Sequence, residues 1–208
     1  MTYLSNLFMI PGRLNTFSLG VILLLVWSCR NSALIPKPHA YPRIEFPKGE
    51  SRVVDENYCP LKFEFPTYGT IKQEKSFFDD KPSDPCWFTI QIIGLNASIH
   101  CSYGPISKEK NYDKYIEDEF KLLGKHNIKA EYREETRLQN AHGVKGMSFQ
   151  IDGPVATPYQ FYLTDSVKHF FRAALYFNAV VNPDSTKPAL DFLKKDLIHM
   201  QESFEWKK

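Results

Sequence analysis

The segment VKHFFRAALYF, which spans residues 167–177, decides how the fold is assigned. Its apolar side chains fall on alternate positions from Val167 to Phe177, as in a strand, although the run HFFRAALYF would also suit a buried helix. Because turn signals bracket the segment on both sides, we predict a strand here. This strand places a long apolar element of a sheet in the C-terminal third of the chain.

Further strand signals precede this segment. Residues Trp87–Ile93 and Ala97–Tyr103 are predicted to pair as a hairpin around Gly94-Leu95-Asn96. Period-2 patterns and short apolar runs predict additional strands at residues 62–65, 128–138, 145–151 and 160–164. Since the connections between these strands are short, antiparallel pairing is expected.

Two segments have the three- and four-residue spacing of amphipathic helices. The first is predicted to be capped by Ser107 and to end near residues 124–127, and the second to be capped by Asp184 or Ser185 with Pro188 in its first turn. The apolar face of the second helix comprises Leu190, Leu193, Leu197, Met200 or Gln201, and Phe204. We therefore predict an α+β fold, a mostly antiparallel sheet with two packed helices, analogous to the PsbP/Mog1-like sandwich.

The composition is that of a globular protein. The chain has 208 residues, of which 43% are hydrophobic and 24% charged, and these values exclude collagen-like, coiled-coil and disordered classes. A formal net charge of +2 gives no reason to expect nucleic acid as a partner. The 16 Phe and 11 Tyr residues are interpreted mainly as core, with a carbohydrate- or peptide-binding platform as the alternative.

The N-terminus resembles a bacterial lipoprotein leader. An apolar run from Thr16 to Trp27 follows Arg13, which is signal-peptide architecture, and its dozen residues fall short of the ~20 that a membrane-spanning helix needs. The run ends in Val-Trp-Ser-Cys, similar to the lipobox, so cleavage is predicted between Ser28 and Cys29 with lipid on the cysteine thiol. An ordinary secretory signal, with Cys29 incidental, is the alternative.

These features predict three regions: a signal peptide at 1–28, a lipid anchor with a proline-rich spacer at 29–56, and a single periplasmic domain at 57–208. Residues 41–46 of the spacer are expected to dock on the edge of the domain. Two or more acyl chains hold a protein stably at a membrane, so the membrane is the first predicted partner. Residues 30–33 lack the acidic cluster typical of surface-exported lipoproteins, which favours a domain that faces the periplasm.

Lipidation of Cys29 leaves three cysteines. In an oxidising compartment two of them can form a disulfide. Cys59 and Cys86 lie in loop-like contexts beside prolines and are the candidate pair, with unpaired thiols as the alternative. Cys101 falls inside a predicted strand and is expected to pack as a small hydrophobic residue. The spacing matches no zinc motif, and we predict neither a metal nor a cofactor.

No catalytic site is predicted. Asp165, Ser166 and His169 are close in sequence, but a catalytic triad normally draws on distant segments, so a turn is the favoured interpretation. The acidic run at residues 117–119 is interpreted as surface charge. Ser166 and Ser185 lie in Asp-Ser-Val and Asp-Ser-Thr patterns, which resemble a short bacterial O-glycosylation signal and make them candidate glycosylation sites.

Together with the lipobox, spacer and element order, seven short stretches are specific: CPLKFEFP (59–66), CW (86–87), NASIH (96–100), QFYLTDS (160–166), HFFRAALYFN (169–178), DLIH (196–199) and FEWK (204–207). With these stretches the chain resembles the gliding motility lipoprotein GldD family from about residue 36 to residue 207. The resemblance implies a non-enzymatic accessory or assembly lipoprotein of the gliding machinery, coupled to type IX protein secretion, with other gliding and secretion proteins as partners.

Three functions are compatible with the sequence. An assembly component would contact its partners through exposed aromatic side chains, for which the candidates are Tyr159, Phe161, Phe204 and Trp206. A module that binds glycan, peptidoglycan or peptide would use a pocket lined by the same aromatics. A hydrolase would require His169 or His100 to meet a nucleophile and an acid in one cleft.

Overall fold

The computed structural model describes residues 43–75, 84–126, 129–179 and 182–208. The predicted cleavage site at Ser28 and the lipidation site at Cys29 lie outside these ranges. The strands and helices are β1 (Ser51–Val54), β2 (Leu61–Pro66), β3 (Thr70–Gln73), β4 (Trp87–Ile92), β5 (Ala97–Pro105), α1 (Tyr112–His126), β6 (Tyr132–Gln139), β7 (Lys145–Asp152), β8 (Tyr159–Thr164), β9 (His169–Phe177), α2 (Pro183–Ser203) and β10 (Glu205–Trp206). A short 3₁₀ turn, Ile93–Leu95, joins β4 to β5.

Two antiparallel sheets organise these strands. One has seven strands in the order β3-β4-β5-β9-β8-β7-β6, and the other has three in the order β1-β2-β10. The segment that decides the fold is β9, which pairs with β5 along all nine of its residues and with β8 on its other side. The predicted α+β class, with antiparallel sheets and two helices, is confirmed.

The seven-stranded sheet is buried on both faces at its centre. On one face, Phe171 of β9 packs in the main core with Phe63 of β2 and with α2 side chains such as Leu193. On the other face, Phe170 joins a smaller core beneath α1, with Leu123 and neighbouring aromatics. Because β9 is covered on both faces, its sequence is a nearly continuous apolar run. This double burial is why the segment also suited a buried helix.

The cap of helix α1 lies four residues after the predicted cap, Ser107. The Ser107 hydroxyl instead accepts backbone N–H groups of Glu109 and Lys110 at 3.2 Å, which closes a separate turn. The residue before the helix, Asn111, supplies the cap, since its side-chain oxygen accepts the N–H of Lys114 at 3.0 Å. Two competing cap residues in one loop explain the difference.

Helix α2 begins slightly earlier than the predicted Asp184 or Ser185. The cap is Asn182, whose side chain accepts the backbone N–H of Ser185, and Pro183 occupies the first helical position. Pro188 therefore lies inside the helix rather than in its first turn. Within the described ranges, none of the helices is long and apolar enough to cross a membrane.

The folded domain begins before the expected boundary at residue 57. Residues Ser51–Val54 form β1 and pair with β2, and the Phe46 ring stacks on Phe192 of α2 at 4.7 Å between centroids. We call residues 43–50 the strap, because this segment lies on the domain ahead of β1. Pro47 lies within the strap and did not prevent it from docking, whereas Pro36, Pro38 and residues 41–42 of the predicted docking segment lie outside the described residues.

Candidate functional site

A disulfide joins the two candidate cysteines. Cys59, which precedes β2, is bonded to Cys86, which precedes β4, with 4.7 Å between their Cα atoms. The bond links the start of a strand in the three-stranded sheet to the start of a strand in the seven-stranded sheet. Cys101 is free and buried in β5, and burial raises the pKa of its thiol well above the ordinary value. Its thiol is therefore unreactive in the folded protein.

The predicted aromatic interface is wrong for three of its four residues. Tyr159, Phe161 and Phe204 are 3%, 1% and 0% exposed, so they belong to the main core. The reason is that β8 lies inside the seven-stranded sheet, where alternate side chains of the strand face α2 and the core. Phe204 packs against Phe171 at 5.0 Å between ring centroids. A period-2 pattern reveals that a strand has two faces but not that both are covered.

The fourth interface candidate, Trp206, is half-buried at one end of the seven-stranded sheet. Its ring stacks on His169 at 4.8 Å between centroids, and the Nδ1 atom of His169 lies 2.8 Å from the Tyr103 hydroxyl. His169 is thus held between two aromatic partners, while the Asp165 carboxylate accepts backbone N–H groups, that of His169 among them.

Asp165 organises the hairpin between β8 and β9. Its Oδ1 atom accepts the backbone N–H groups of Val167, Lys168 and His169 at 2.8–2.9 Å. Burial alone would raise the pKa of Asp165, but these three donors outweigh burial and hold the pKa below its ordinary value. The segment therefore forms a turn. Ser166 is exposed in it with φ of 65°, a conformation rare for residues other than glycine, asparagine and aspartate.

A groove lies between α2 and the strands β6–β8. Helix α2 packs on β2 and contacts β8, while the groove runs from β8 to the outermost strand, β6. The groove has a volume of about 340 Å³, which is at the lower end of the range for small-molecule sites. Its walls include Glu134, Thr136, Arg137, Asn140, Ser148, Gln150, Tyr159, Lys194, Ile198, Gln201 and Glu202.

Polar side chains in this groove are held in place by one another. The Lys194 ammonium donates to the Gln150 side-chain oxygen and lies 5.8 Å from the centre of the Tyr159 ring. The buried Gln201 amide donates to the Tyr159 hydroxyl at 3.1 Å. Asn140 donates to the Gln201 backbone carbonyl at 2.9 Å and thereby ties the β6–β7 hairpin to the end of α2.

The groove contains both signs of charge. Arg137 and Lys194 are cationic, and Glu134 and Glu202 are anionic. Amides and hydroxyls supply most of the remaining polar groups. This chemistry suits hydrogen bonding to an uncharged polar ligand, such as a peptide backbone or a sugar, better than it suits a strongly charged one.

A buried ion pair holds α1 against the opposite face of the sheet. Glu119 is 1% exposed, and its Oε2 atom lies 2.6 Å from the Nε atom of Arg172 in β9. Arg172 also donates to the Gln160 side chain at 2.8 Å. Burial raises the pKa of Glu119 even though the Arg172 charge opposes that shift. The prediction that residues 117–119 are all surface charge is therefore wrong at Glu119.

The other predicted positions lie apart from these groups. Ser185 is exposed in the first turn of α2, and its hydroxyl donates to the Asn182 carbonyl at 3.0 Å. Among the residues that the structure describes, no cluster of three or more His, Cys, Asp or Glu side chains is arranged to hold a metal ion.

The fold and these features define a disulfide-containing α+β domain with an internally braced polar groove. The chain belongs to the gliding motility lipoprotein GldD family, whose model matches residues 31–206. It is thus a lipoprotein associated with gliding motility.

No curated protein matches the chain. The solution structure of cyanobacterial PsbP (CyanoP) from Synechocystis sp. PCC 6803 is similar with a TM-score of 0.46 and 9% sequence identity, over 77% of this chain and 94% of that one. The antiparallel sheets and the two helices of the described residues define the α+β class by themselves.

Proposed function

We propose that this protein is a membrane-anchored periplasmic lipoprotein that serves as a non-enzymatic accessory or assembly component of the gliding motility machinery, coupled to type IX protein secretion. The observation that carries the proposal is the family match over residues 31–206. In this proposal residues 1–28 are removed, Cys29 carries the lipid, and residues 30–42 connect it to the strap. Other gliding and secretion proteins are the partners.

The disulfide supports a periplasmic location. Disulfides persist in oxidising compartments such as the bacterial periplasm and are rare in the cytosol. The Cys59–Cys86 bond is buried at both ends, which shields it from exchange with external thiols. Alkylation of the purified protein under denaturing, non-reducing conditions should therefore leave both of these cysteines unlabelled.

The anchor is tested by replacing Cys29. The variant Cys29→Ala, expressed in a gliding bacterium that encodes the protein, should move from the membrane fraction to the soluble fraction. Intact-mass measurement should show the diacylglycerol modification on the wild-type protein only. Cys101→Ala is the matched control, because this cysteine is buried and free and should not affect localisation. Membrane retention of Cys29→Ala would refute the lipid anchor.

The role in the machinery is tested by deletion and rescue. Deletion of the gene should abolish gliding and reduce type IX secretion, and the wild-type gene should restore both. Affinity isolation of the tagged protein from native membranes, followed by mass spectrometry, should recover gliding or secretion proteins. Normal gliding and secretion in the deletion strain would contradict the proposal.

A second candidate function follows from the groove, namely recognition of a peptidoglycan, glycan or peptide ligand. Its support is the set of braced amide, hydroxyl and lysine groups between α2 and β6–β8. Purified peptidoglycan should then sediment the wild-type protein, and Lys194→Met should weaken this binding. Lys187→Met is the control, because Lys187 is exposed on the same helix outside the groove. Equal sedimentation of both variants and wild type would argue against the groove.

The two serines remain candidates for O-glycosylation. Ser166 and Ser185 are both exposed, as a modification enzyme requires. Intact-mass analysis of the native protein, and of variants with each serine changed to alanine, would detect the sugar and assign its position. An unmodified wild-type mass would exclude it.

A further inference from the structure

We propose that the connection between β4 and β5, residues 93–96, contacts the surface of the lipid bilayer and sets the orientation of the anchored domain. This inference rests on the lipid anchor proposed above. It adds to that anchor a specific protein surface and a partner, the phospholipid headgroup layer.

The chain from the anchor reaches the domain close to this connection. Arg43 and Ile44, at the start of the strap, border the same cavity as Ile93 and Leu95. The strap then continues to Phe46, which stacks on α2. The segment that leads to the lipid therefore meets the domain beside the β4–β5 connection.

The tether is short. Thirteen residues lie between Cys29 and Arg43, and the fourteen residue steps from one to the other span at most about 50 Å when fully extended. A tether of this length keeps the domain at a high effective concentration near the bilayer, so a weak contact is enough to orient it. The strap begins at the end of the sheet beside residues 93–96. This end therefore reaches the bilayer with less extension of the tether than the opposite end needs.

The side chains at this end of the sheet suit contact with lipid headgroups. Ile93 is 81% exposed, the largest value among the large hydrophobic side chains that the structure describes. Its exposed neighbours Gly94, Asn96 and Asn178 are uncharged, and Arg43 adds a cation that anionic headgroups attract. The connection itself, residues 93–96, has no charged side chain, whereas Glu45 and Glu74 line cavities that Ile93 also borders. A shallow contact of this connection with the headgroups therefore removes no charge of its own from water.

The opposite end of the sheet offers a natural comparison. In the β5–β9 pairing, Ala97 lies opposite Phe177 at the tether end, and Pro105 lies opposite His169 at the far end. At about 3.4 Å per residue these ends are about 27 Å apart. Val167 is exposed just beyond the far end, and it is 68% exposed. The two ends thus each present one exposed β-branched side chain.

The test uses the full lipidated chain with a fluorophore on one introduced cysteine. Gly94→Cys places the probe beside Ile93 without a clash, because a side chain added at Gly94 meets nothing within 4 Å. Val167→Cys places the same probe at the far end. In the lipidated protein Cys29 is a thioether, the disulfide is closed and Cys101 is buried, so the introduced thiol is the one that reacts.

Each labelled protein is reconstituted into vesicles of phosphatidylethanolamine and phosphatidylglycerol that contain lipids with a nitroxide on the headgroup. We expect loss of fluorescence and a blue shift for the probe at position 94, and unchanged emission for the probe at 167. Adding Ile93→Asp to the Gly94→Cys variant should restore the emission, because a carboxylate resists transfer towards the membrane.

The outcomes separate this inference from the anchor. Intact mass of each sample reports the lipid on Cys29. A chain without lipid would overturn the anchor and this inference with it. A lipidated chain whose probe is quenched equally at both positions, more strongly at 167, or at neither position would overturn the orientation alone. Persistent quenching in the Ile93→Asp background would overturn the role of Ile93.

Discussion

Loss of the Cys59–Cys86 disulfide should lower the stability of the domain by an amount that its loop length predicts. The bond closes a loop with a sequence separation of 27 residues. In the chain-entropy model, a loop of that size stabilises the folded state by about 3.5 kcal/mol at 25 °C. For a domain of this size, about 2–4 °C is lost per kcal/mol, so the melting temperature should fall by about 7–14 °C.

The assay is thermal unfolding followed by circular dichroism, on the soluble domain with both cysteines changed to alanine. Addition of a reductant should bring the wild-type melting temperature close to that of the double variant, and it should leave the double variant unchanged. Cys101→Ala is the control. It should lose some stability from the cavity at this buried site, but its further fall on reduction should equal that of the wild type.

An equal melting temperature for the wild type and the double variant would refute the reasoning. It would mean that the unfolded chain already holds these segments together, or that the folded state relaxes when the bond is removed. Since the bond connects the starts of β2 and β4 in different sheets, the first case would require residual structure between two distant segments of the unfolded chain.

Three other outcomes are expected. Glu119→Ala should reduce the free energy of unfolding, measured by urea titration, by about 2–4 kcal/mol, because it leaves Arg172 without its buried partner. The double variant Glu119→Leu with Arg172→Met should recover most of that loss. Asp165→Asn should cost about 1–2 kcal/mol. The pKa of Asp165 is lower in the folded protein than the unfolded value near 3.8. The wild type therefore has this stabilisation above the unfolded pKa and loses it as the pH falls through the folded pKa. The free energy of unfolding of the variant should depend less on pH in this acidic range. Phe46→Ala should accelerate trypsin cleavage after Lys48 with little change in the melting temperature, since it releases the strap from α2. Cleavage of this variant at the wild-type rate would mean that Phe46 does not hold the strap.

Much of the fold could be predicted from the sequence because its central elements have strong periodic signals. The β4–β5 hairpin was predicted to within two residues at each strand end, and the apolar face of α2 is buried as expected. At β9 an apolar run alone does not distinguish a strand covered on both faces from a buried helix. The turn signals on both sides of the run therefore had to decide between them, and they predicted the strand correctly.

The elements that escaped prediction are short and lie at sheet edges. β1 is exposed at three of its four residues, and β3 is exposed or half-exposed throughout, so neither shows alternation. β10 has two residues and follows directly after α2, where helical periodicity had included Phe204. Pairing with a neighbouring strand forms these elements, and pairing is a tertiary contact that local pattern does not report.

The groove could not have been predicted for a related reason. Lys194 and Gln201 lie on α2, Gln150 on β7, Tyr159 on β8 and Asn140 in a hairpin. No two of these elements form a motif with fixed spacing, and each residue alone has the ordinary appearance of a surface or core position. The high aromatic content suggested an interface at residues such as Tyr159 and Phe161, which are core residues instead. A domain with two cores uses its aromatic side chains to fill the space between its layers.

The position of the groove relative to the tether links the two proposals. Helix α2 starts near the strap and runs for 21 residues, about 32 Å. The groove residues Lys194, Gln201 and Glu202 all lie in its second half, and the β6–β7 hairpin closes the groove at the far end. If residues 93–96 contact the bilayer, the groove is a separate surface, because no residue that lines it also lines the cavities beside residues 93–96. Mutations in the groove should then change binding without changing the quenching of a probe at position 94.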